Sequence, residues 1–271
     1  MKAYITLLSN KDYLPGVIAL SRSLLAVDAK YPLYCVLSCS VDVQIEQHLI
    51  EERIKCLRLS RTAWNENANS VEGGFGHWNL TFDKLLIWEL TQFDKLVFLD
   101  SDMMVVRNID SLFECKSFSA VSADCSFPGN EGWAGGLNSG LMVIEPDVEV
   151  AEKLCTLIPT VVARFQSLGA SVGDQDVIKE YCTWWASDKS LHLDEGYNIF
   201  ADHLGYYIKK IGYSLEEGMH PIYVVHFVGR KKPWMVKTWK EYLYLLKNCI
   251  VNPDYISIYR QYIGYIKQND K

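Results

Sequence analysis

Two aspartates, Asp100 and Asp102, stand one residue apart where the apolar run KLVFL ends. Carboxylates held close repel one another, which costs stability unless a cation lies between them. Residues two apart on extended backbone point to the same side, so both acids can face one point, and Ser101 between them is small enough to leave the approach open. Oxygen donors so placed suit a divalent cation. The competing reading is a pair of solvated acids in a turn, where Asp is common.

A second stretch, VVHFVGRKKPW at 224–234, also runs from an apolar strand into a polar loop. His226 lies near the strand's end. Gly229 lets backbone come close to a ligand, and Lys232 is a mobile cation suited to a phosphate. An imidazole beside two carboxylates fits Mn²⁺ better than Ca²⁺ or Mg²⁺, with Mg²⁺ kept as the second option. The alternative is a histidine packed in the core with no ligand.

The elements that must hold these residues follow from periodicity. Apolar runs at 3–9, 33–38 and 54–60 read as strands. Between them lie a helix from Leu14, with Pro15 in its first turn, and a helix over 41–52 whose inner side is assigned to Val43, Ile45, His48, Leu49 and Ile50. This β-α-β-α-β alternation implies a parallel sheet with helices on its faces. Ligands in such sheets sit beyond the carboxyl ends of the strands, the edge at which Asp100 lies. Residues 61–77, rich in Asn and Gly, read as a long functional loop. A helix over TFDKLLIWELTQF, strands at 95–100, 118–124 and 139–146, helices near 148–166 and 174–182, and a last strand in PIYVVHFVG complete the pattern. With no repeat or linker, one domain over 1–271 is the simplest account.

A net charge of −6 with acids and bases mixed argues against a nucleic-acid partner, which needs a concentrated basic face. The 8 cysteines form no CxxC pair and read as reduced thiols. The N-terminal run lacks a signal-peptide pattern, and no run is long enough to span a bilayer. Together these predict a cytoplasmic protein without a transmembrane segment. In the tail, Tyr255, Ile256, Tyr259, Tyr262, Ile263 and Ile266 form a helical stripe, assigned to packing on the domain, with peripheral membrane contact as the other reading.

Five stretches in order, TLLSNKDYLPGVIALSRSL, FDKLLIWELTQFDKLVFLDSDMMVVRNIDSLF, LNSGLMVIEP, GDQDVI and HFVGRKKPW, resemble glycosyltransferase family 8, the retaining enzymes of glycogenin and galactinol-synthase type. The resemblance spans roughly 3–234. It implies an α/β GT-A fold, with a Rossmann-like nucleotide-binding half (about 1–110), an acceptor-binding half (about 111–235) and C-terminal helices (about 236–271). It implies a UDP-sugar donor and Mn²⁺ held by Asp100, Asp102 and His226. It assigns donor contacts to Leu7, Ser9, Asn10, Tyr13, Lys84, Ser101, Asn138, Ser139, Gly229 and Lys232, and catalytic roles to Asp174, Gln175 and Lys232. Read without it, Tyr13 is a core tyrosine, Lys84 a helix-surface lysine and GDQD a helix N-terminus with acids favoured by the dipole.

The donor sugar is open among glucose, galactose, N-acetylglucosamine and glucuronate, with UDP-glucose or UDP-galactose preferred. The acceptor is a hydroxyl on a glycan, polyol or lipid-linked molecule, and a homodimer is left open. Tyr206 and Tyr207 lie near the register of a self-glycosylated tyrosine. Two other classes compete. An aspartyl-phosphate phosphatase would carry its Asp-x-Asp on the first strand and need a later acidic pair, and this chain has no Asp-Asp dipeptide. A non-catalytic sugar-nucleotide binding module would bind without turnover.

Overall fold

The computed structural model describes residues 1–64, 76–123, 136–216, 218–229, 232–235, 238–251 and 253–267. The expected loop over 61–77 therefore falls largely outside the described residues. In chain order the elements are β1 (Lys2–Leu8), α1 (Leu14–Ala26), β2 (Leu33–Leu37), α2 (Val43–Glu51), β3 (Lys55–Arg58), β4 (Lys95–Leu99), β5 (Met103–Val105), β6 (Ala120–Ser122) and β7 (Leu137–Ile144). They continue with α3 (Val148–Ser167), α4 (Asp174–Tyr181), β8 (His192–Leu193), β9 (Ile199–Phe200), the single turn α5 (Leu204–Tyr206), β10 (Val224–His226), α6 (Trp239–Val251) and α7 (Pro253–Lys267).

Seven strands form the main sheet in the order β3-β2-β1-β4-β7-β6-β8. β1, β2, β3 and β4 are parallel, and β7 runs against both β4 and β6. The expected mainly parallel α/β sheet is what the chain builds. Strand order reverses between β1 and β4, so a crevice opens beyond their carboxyl ends. Side chains alternate between two apolar layers. Ala3, Ile5, Leu96 and Phe98 join α3 and α4 on one face, while Tyr4, Val97 and Leu99 join α1 on the other. Strands buried on both faces need near-continuous apolar sequence, which is why KLVFL and AYITLL carry no polar alternation.

Four expectations change. The helix over 76–89 winds in tighter i→i+3 turns. Every side chain from Phe82 to Trp88 is buried, so packing on all sides overrides the 3.6-residue period that a surface helix would keep. On α2 only Leu49 is buried, while Val43 is 71% and Ile50 52% exposed, because the helix touches the sheet margin along one narrow line. On α7 the inward stripe is Tyr255, Ile258, Tyr262 and Tyr265 rather than one including Ile256 and Ile263. This stripe packs against β10, α5 and the Ala19 face of α1, so the helix is a structural part of the fold. Finally, the run after Asp102 is a strand in its own right. β5 pairs antiparallel with β10, which also pairs with β9, giving a small second sheet.

Among the described residues the cysteines are free thiols, and no helix is long and apolar enough to cross a membrane. The first turn of α1 meets the Asp100–Asp102 segment closely. A Cβ on Gly16 would collide with the Ser101 carbonyl oxygen and come within 2.9 Å of the Trp234 ring. Gly16→Ala should therefore lower stability by about 1–3 kcal/mol, as overpacking does. Urea denaturation checks this, and an unchanged midpoint would show that the contact is soft.

Candidate active site

Asp100 follows β4 directly, and its N–H donates to Gly140 O at 2.8 Å, which continues the pairing with β7. The chain then turns. Met103 N–H donates to Asp100 O at 3.1 Å, closing residues 100–103 into a turn. The two acids thus converge through a turn between β4 and β5, not through strand alternation. β5 carries the chain into the small sheet, where His226 sits opposite Met103. Phe227 N–H donates to Asp102 O at 2.9 Å and extends that pairing by one step. Ligand-type atoms of Asp100, Asp102 and His226 all lie within 4.8 Å of one another.

The first of two lysines, Lys84, is not on a helix surface. Its buried ammonium lies 3.0 Å from Asp100 Oδ1 and 2.9 Å from Asp174 Oδ2, above the Phe98 ring. Asp174 begins α4 and accepts from Ser139 Oγ at 2.7 Å. Gln175 Oε1 accepts from Ser139 N–H at 3.1 Å. GDQD is at the same time a helix start, with Asp176 accepting from Gly173 N–H at 2.9 Å. The second lysine, Lys232, pairs with Asp102 and donates to Phe227 O at 2.8 Å.

These groups border a cleft of about 490 Å³, a size suited to a small-molecule ligand. Leu7, Ser9, Asn10 and Tyr13 form one wall, at the carboxyl end of β1. Asn10 is held there by capping the turn before α1, its Oδ1 accepting from Asp12 N–H at 3.0 Å. Ser101, Asn138, Ser139, Asp174 and Gln175 line it from the other elements. Tyr13 is a wall residue rather than a core one, its ring 5.5 Å from the Lys232 ammonium. Gly229 and Lys232 stand outside the lining. Gly229 has φ 87° and open space at its Cβ position, so the backbone turn itself demands glycine. Of the two candidate acceptor tyrosines, Tyr207 is fully buried against Tyr213.

Sequence reasoning passed over Thr81, Ala123, Gly140, Phe200 and Val228, which also line the cleft. It also passed over buried Asn198, whose Oδ1 lies 2.9 Å from His226 Nδ1. Gly140 and Val228 lie within LNSGLMVIEP and HFVGRKKPW but carry no reactive side chain that would single them out. The only local hint was Asn198 before a short apolar pair.

Charge sets the character of the site. Burial pushes the Asp100 carboxyl up, and Lys84 only partly offsets it. Burial opposes ionisation of Asp102 as well, but Lys232 and then His226 outweigh it and hold that carboxyl well below the usual range. Burial would lower Lys84, yet Asp100 and Asp174 raise it. Among the described residues, three carboxylates against two ammonium groups leave negative charge over, and two carboxylates with an imidazole form a donor set that fits a divalent transition ion.

The sequence pattern of Glycosyl transferase family 8 matches residues 4–238. A putative UDP-glucuronate:xylan alpha-glucuronosyltransferase 3 of Arabidopsis thaliana is 30% identical over 240 residues, 86% of this chain and 35% of that protein. Glycogenin-1 of Caenorhabditis elegans is 30% identical over 239 residues, 86% of this chain and 51% of that protein. The chain thus spans about a third to a half of these relatives. In fold, the galactosyltransferase LgtC in complex with donor and acceptor sugar analogs superposes with a TM-score of 0.60 at 13% identity, covering 100% of this chain and 98% of that one. GlyE of Streptococcus pneumoniae TIGR4 gives 0.61 at 16% identity, covering 99% and 62%.

Removing the ammonium between the buried Asp174 and the part-exposed Asp100 should be costly. Lys84→Met is expected to lose on the order of 3 kcal/mol, the low end for breaking a buried pair, because Asp100 keeps partial solvent access. A melting curve that matches the wild type would contradict this placement of charge.

Proposed function

The chain belongs to glycosyl transferase family 8, and on that premise we propose that it moves a hexose from a UDP-sugar to a hydroxyl acceptor in a metal-dependent, retaining reaction. The observation that carries the reading is the convergence of Asp100, Asp102 and His226 on the lining of a cleft that Lys84, Asp174, Gln175, Asn138 and Ser139 also line. These three side chains would hold Mn²⁺, or Mg²⁺ as the second choice. When bound, the ion neutralises charge that builds on the leaving diphosphate.

The protein's own groups divide the remaining work. The wall of Leu7, Ser9, Asn10 and Tyr13 is placed for the uridine, with the Tyr13 ring available to the base. Ser101 is small and buried between the acids, leaving diphosphate oxygens a close approach. Lys232 brings a second positive charge to the metal group, and Gly229 shapes the turn that delivers it. Asn138, Ser139, Asp174 and Gln175 are placed for the sugar.

Asp174 is poorly prepared to attack the anomeric carbon. Its Oδ2 already accepts from Ser139 and faces Lys84 at 2.9 Å. This favours attack by the acceptor on the same face the diphosphate leaves, with a departing phosphate oxygen taking the acceptor's proton. It also favours a neutral hexose, UDP-glucose or UDP-galactose, over glucuronate. Among the described residues both lysines at the site are already matched to carboxylates, and a sugar carboxylate would add to the negative excess. The acceptor is a hydroxyl of a glycan, polyol or lipid-linked molecule.

The test is UDP release from a panel of UDP-sugars, with Mn²⁺ and with chelator. The expected result is release with one neutral hexose donor that chelator abolishes, and a loss of about 10²–10³ in rate for Asp102→Asn, the scale of a lost electrostatic contact. Binding without release would identify a sugar-nucleotide binding module. Preference for UDP-glucuronate would overturn the assignment of a neutral sugar, and trapping of a glycosylated Asp174 by mass spectrometry would overturn same-face attack.

A further inference from the structure

Asn198 is 1% exposed and lies between two site residues that come from distant parts of the chain. Its Nδ2 donates to Asn138 Oδ1 at 2.9 Å, and its Oδ1 lies 2.9 Å from His226 Nδ1. The direction of this relay is set by a backbone group. Gly140 N–H can only donate, and it donates to Asn138 Oδ1 at 2.9 Å. Asn138 therefore presents an acceptor to Asn198, which must turn its amide nitrogen that way and its oxygen toward the imidazole. An oxygen facing Nδ1 requires a proton on Nδ1. Nε2, which lies 3.1 Å from Asp102 Oδ1 and 3.8 Å from Asp100 Oδ2, is then the nitrogen whose lone pair is left for a cation.

We infer that Asn198 is a positioning residue that fixes the ring orientation and tautomer of His226 for metal binding, and ties that imidazole to the Asn138 segment lining the cleft. The inference rests on the metal reading of Asp100, Asp102 and His226. A metal-bound histidine generally needs its second nitrogen hydrogen-bonded, and losing that partner weakens metal binding. The position is held firmly. Asn198 N–H donates to Glu195 O at 2.8 Å, and the residue leads into β9, which pairs with β10 at Phe200 and His226. The Phe200 ring packs edge-on to the imidazole with centroids 5.8 Å apart, which fixes its other side. Gly140 completes the enclosure, since a Cβ there would come within 2.9 Å of His226 Cε1 and 3.0 Å of Asn138 Oδ1.

The experiment is an electron paramagnetic resonance titration of nucleotide-free protein with Mn²⁺ alone, with melting curves for each variant. Asn198→Ala should weaken Mn²⁺ binding about 10–100-fold, the range for a lost partner of a metal-bound histidine. In a His226→Ala background the same change should have no further effect, because Asn198 acts through the imidazole. Asn198→Asp keeps an acceptor for the Nδ1 proton and should recover most of the affinity. Should Asn198→Ala not fold, Asn138→Ala reads the relay from its far end and should weaken Mn²⁺ less strongly but measurably. Wild-type affinity in Asn198→Ala, an equal loss in the His226→Ala background, or wild-type affinity in Asn138→Ala would overturn the inference. Those results would leave the metal reading intact, whereas a wild-type protein that binds no Mn²⁺ would overturn both.

Discussion

Buried like charge at the carboxyl end of β4 is the constraint on which the rest of this structure depends. Asp100, Asp102 and Asp174 share one small region, and two of the three are almost wholly buried. Water does little to screen them there, so their repulsion must be met by groups the fold supplies. Lys84 lies between Asp100 and Asp174, and Lys232 lies on Asp102. The remaining negative charge faces the cleft beside an imidazole. A protein that only needed stability would have filled this region with apolar side chains, since buried ion networks are poor stabilisers. Keeping it charged points to a ligand that carries positive charge to the same place.

Two sheets are needed to assemble the arrangement. The main sheet brings Asp100 to the point where strand order reverses, and β7 delivers Asn138 and Ser139 beside it. The small sheet brings His226 to Asp102 across 124 positions of sequence. The turn at 100–103 joins the sheets, and Gly16 allows α1 to press against it. Backbone hydrogen bonds from Asp100 to Gly140 and from Phe227 to Asp102 lock the two sides together. The acids are therefore presented by hydrogen-bonded backbone, which fixes them relative to each other and to the cleft.

Much of this was legible in the residues themselves. The parallel strands and their helices follow from long apolar runs, because strands covered on both faces must be apolar throughout. Asp-x-Asp at a strand end was readable for the same reason, since two acids there stand out against an apolar background. What escaped detection has a common cause. β5 and β9 are three and two residues long, and although the last strand was expected in PIYVVHFVG, its pairing with them is non-local, so no periodicity marks the small sheet. Without that small sheet, the residues around His226 left a ligand and a core histidine both open until the resemblance was used, and Asn198 had only its place before a short apolar pair. Phe82 to Trp88 failed differently. Burial on every side removes the amphipathic pattern from which helical pitch is read. On α2 the error was the reverse, because apolar Val43 and Ile50 carry no mark that they face water.

The account stands or falls on one cation binding where, among the described residues, three carboxylates outnumber two ammonium groups. The direct measurement is anomalous diffraction at the manganese edge from crystals grown with Mn²⁺ and UDP. A single strong peak within coordination distance of Asp100, Asp102 and His226, touching the diphosphate, is the predicted result. A diphosphate bound in the cleft with no anomalous peak between those side chains, and Lys232 still paired with Asp102, would contradict it.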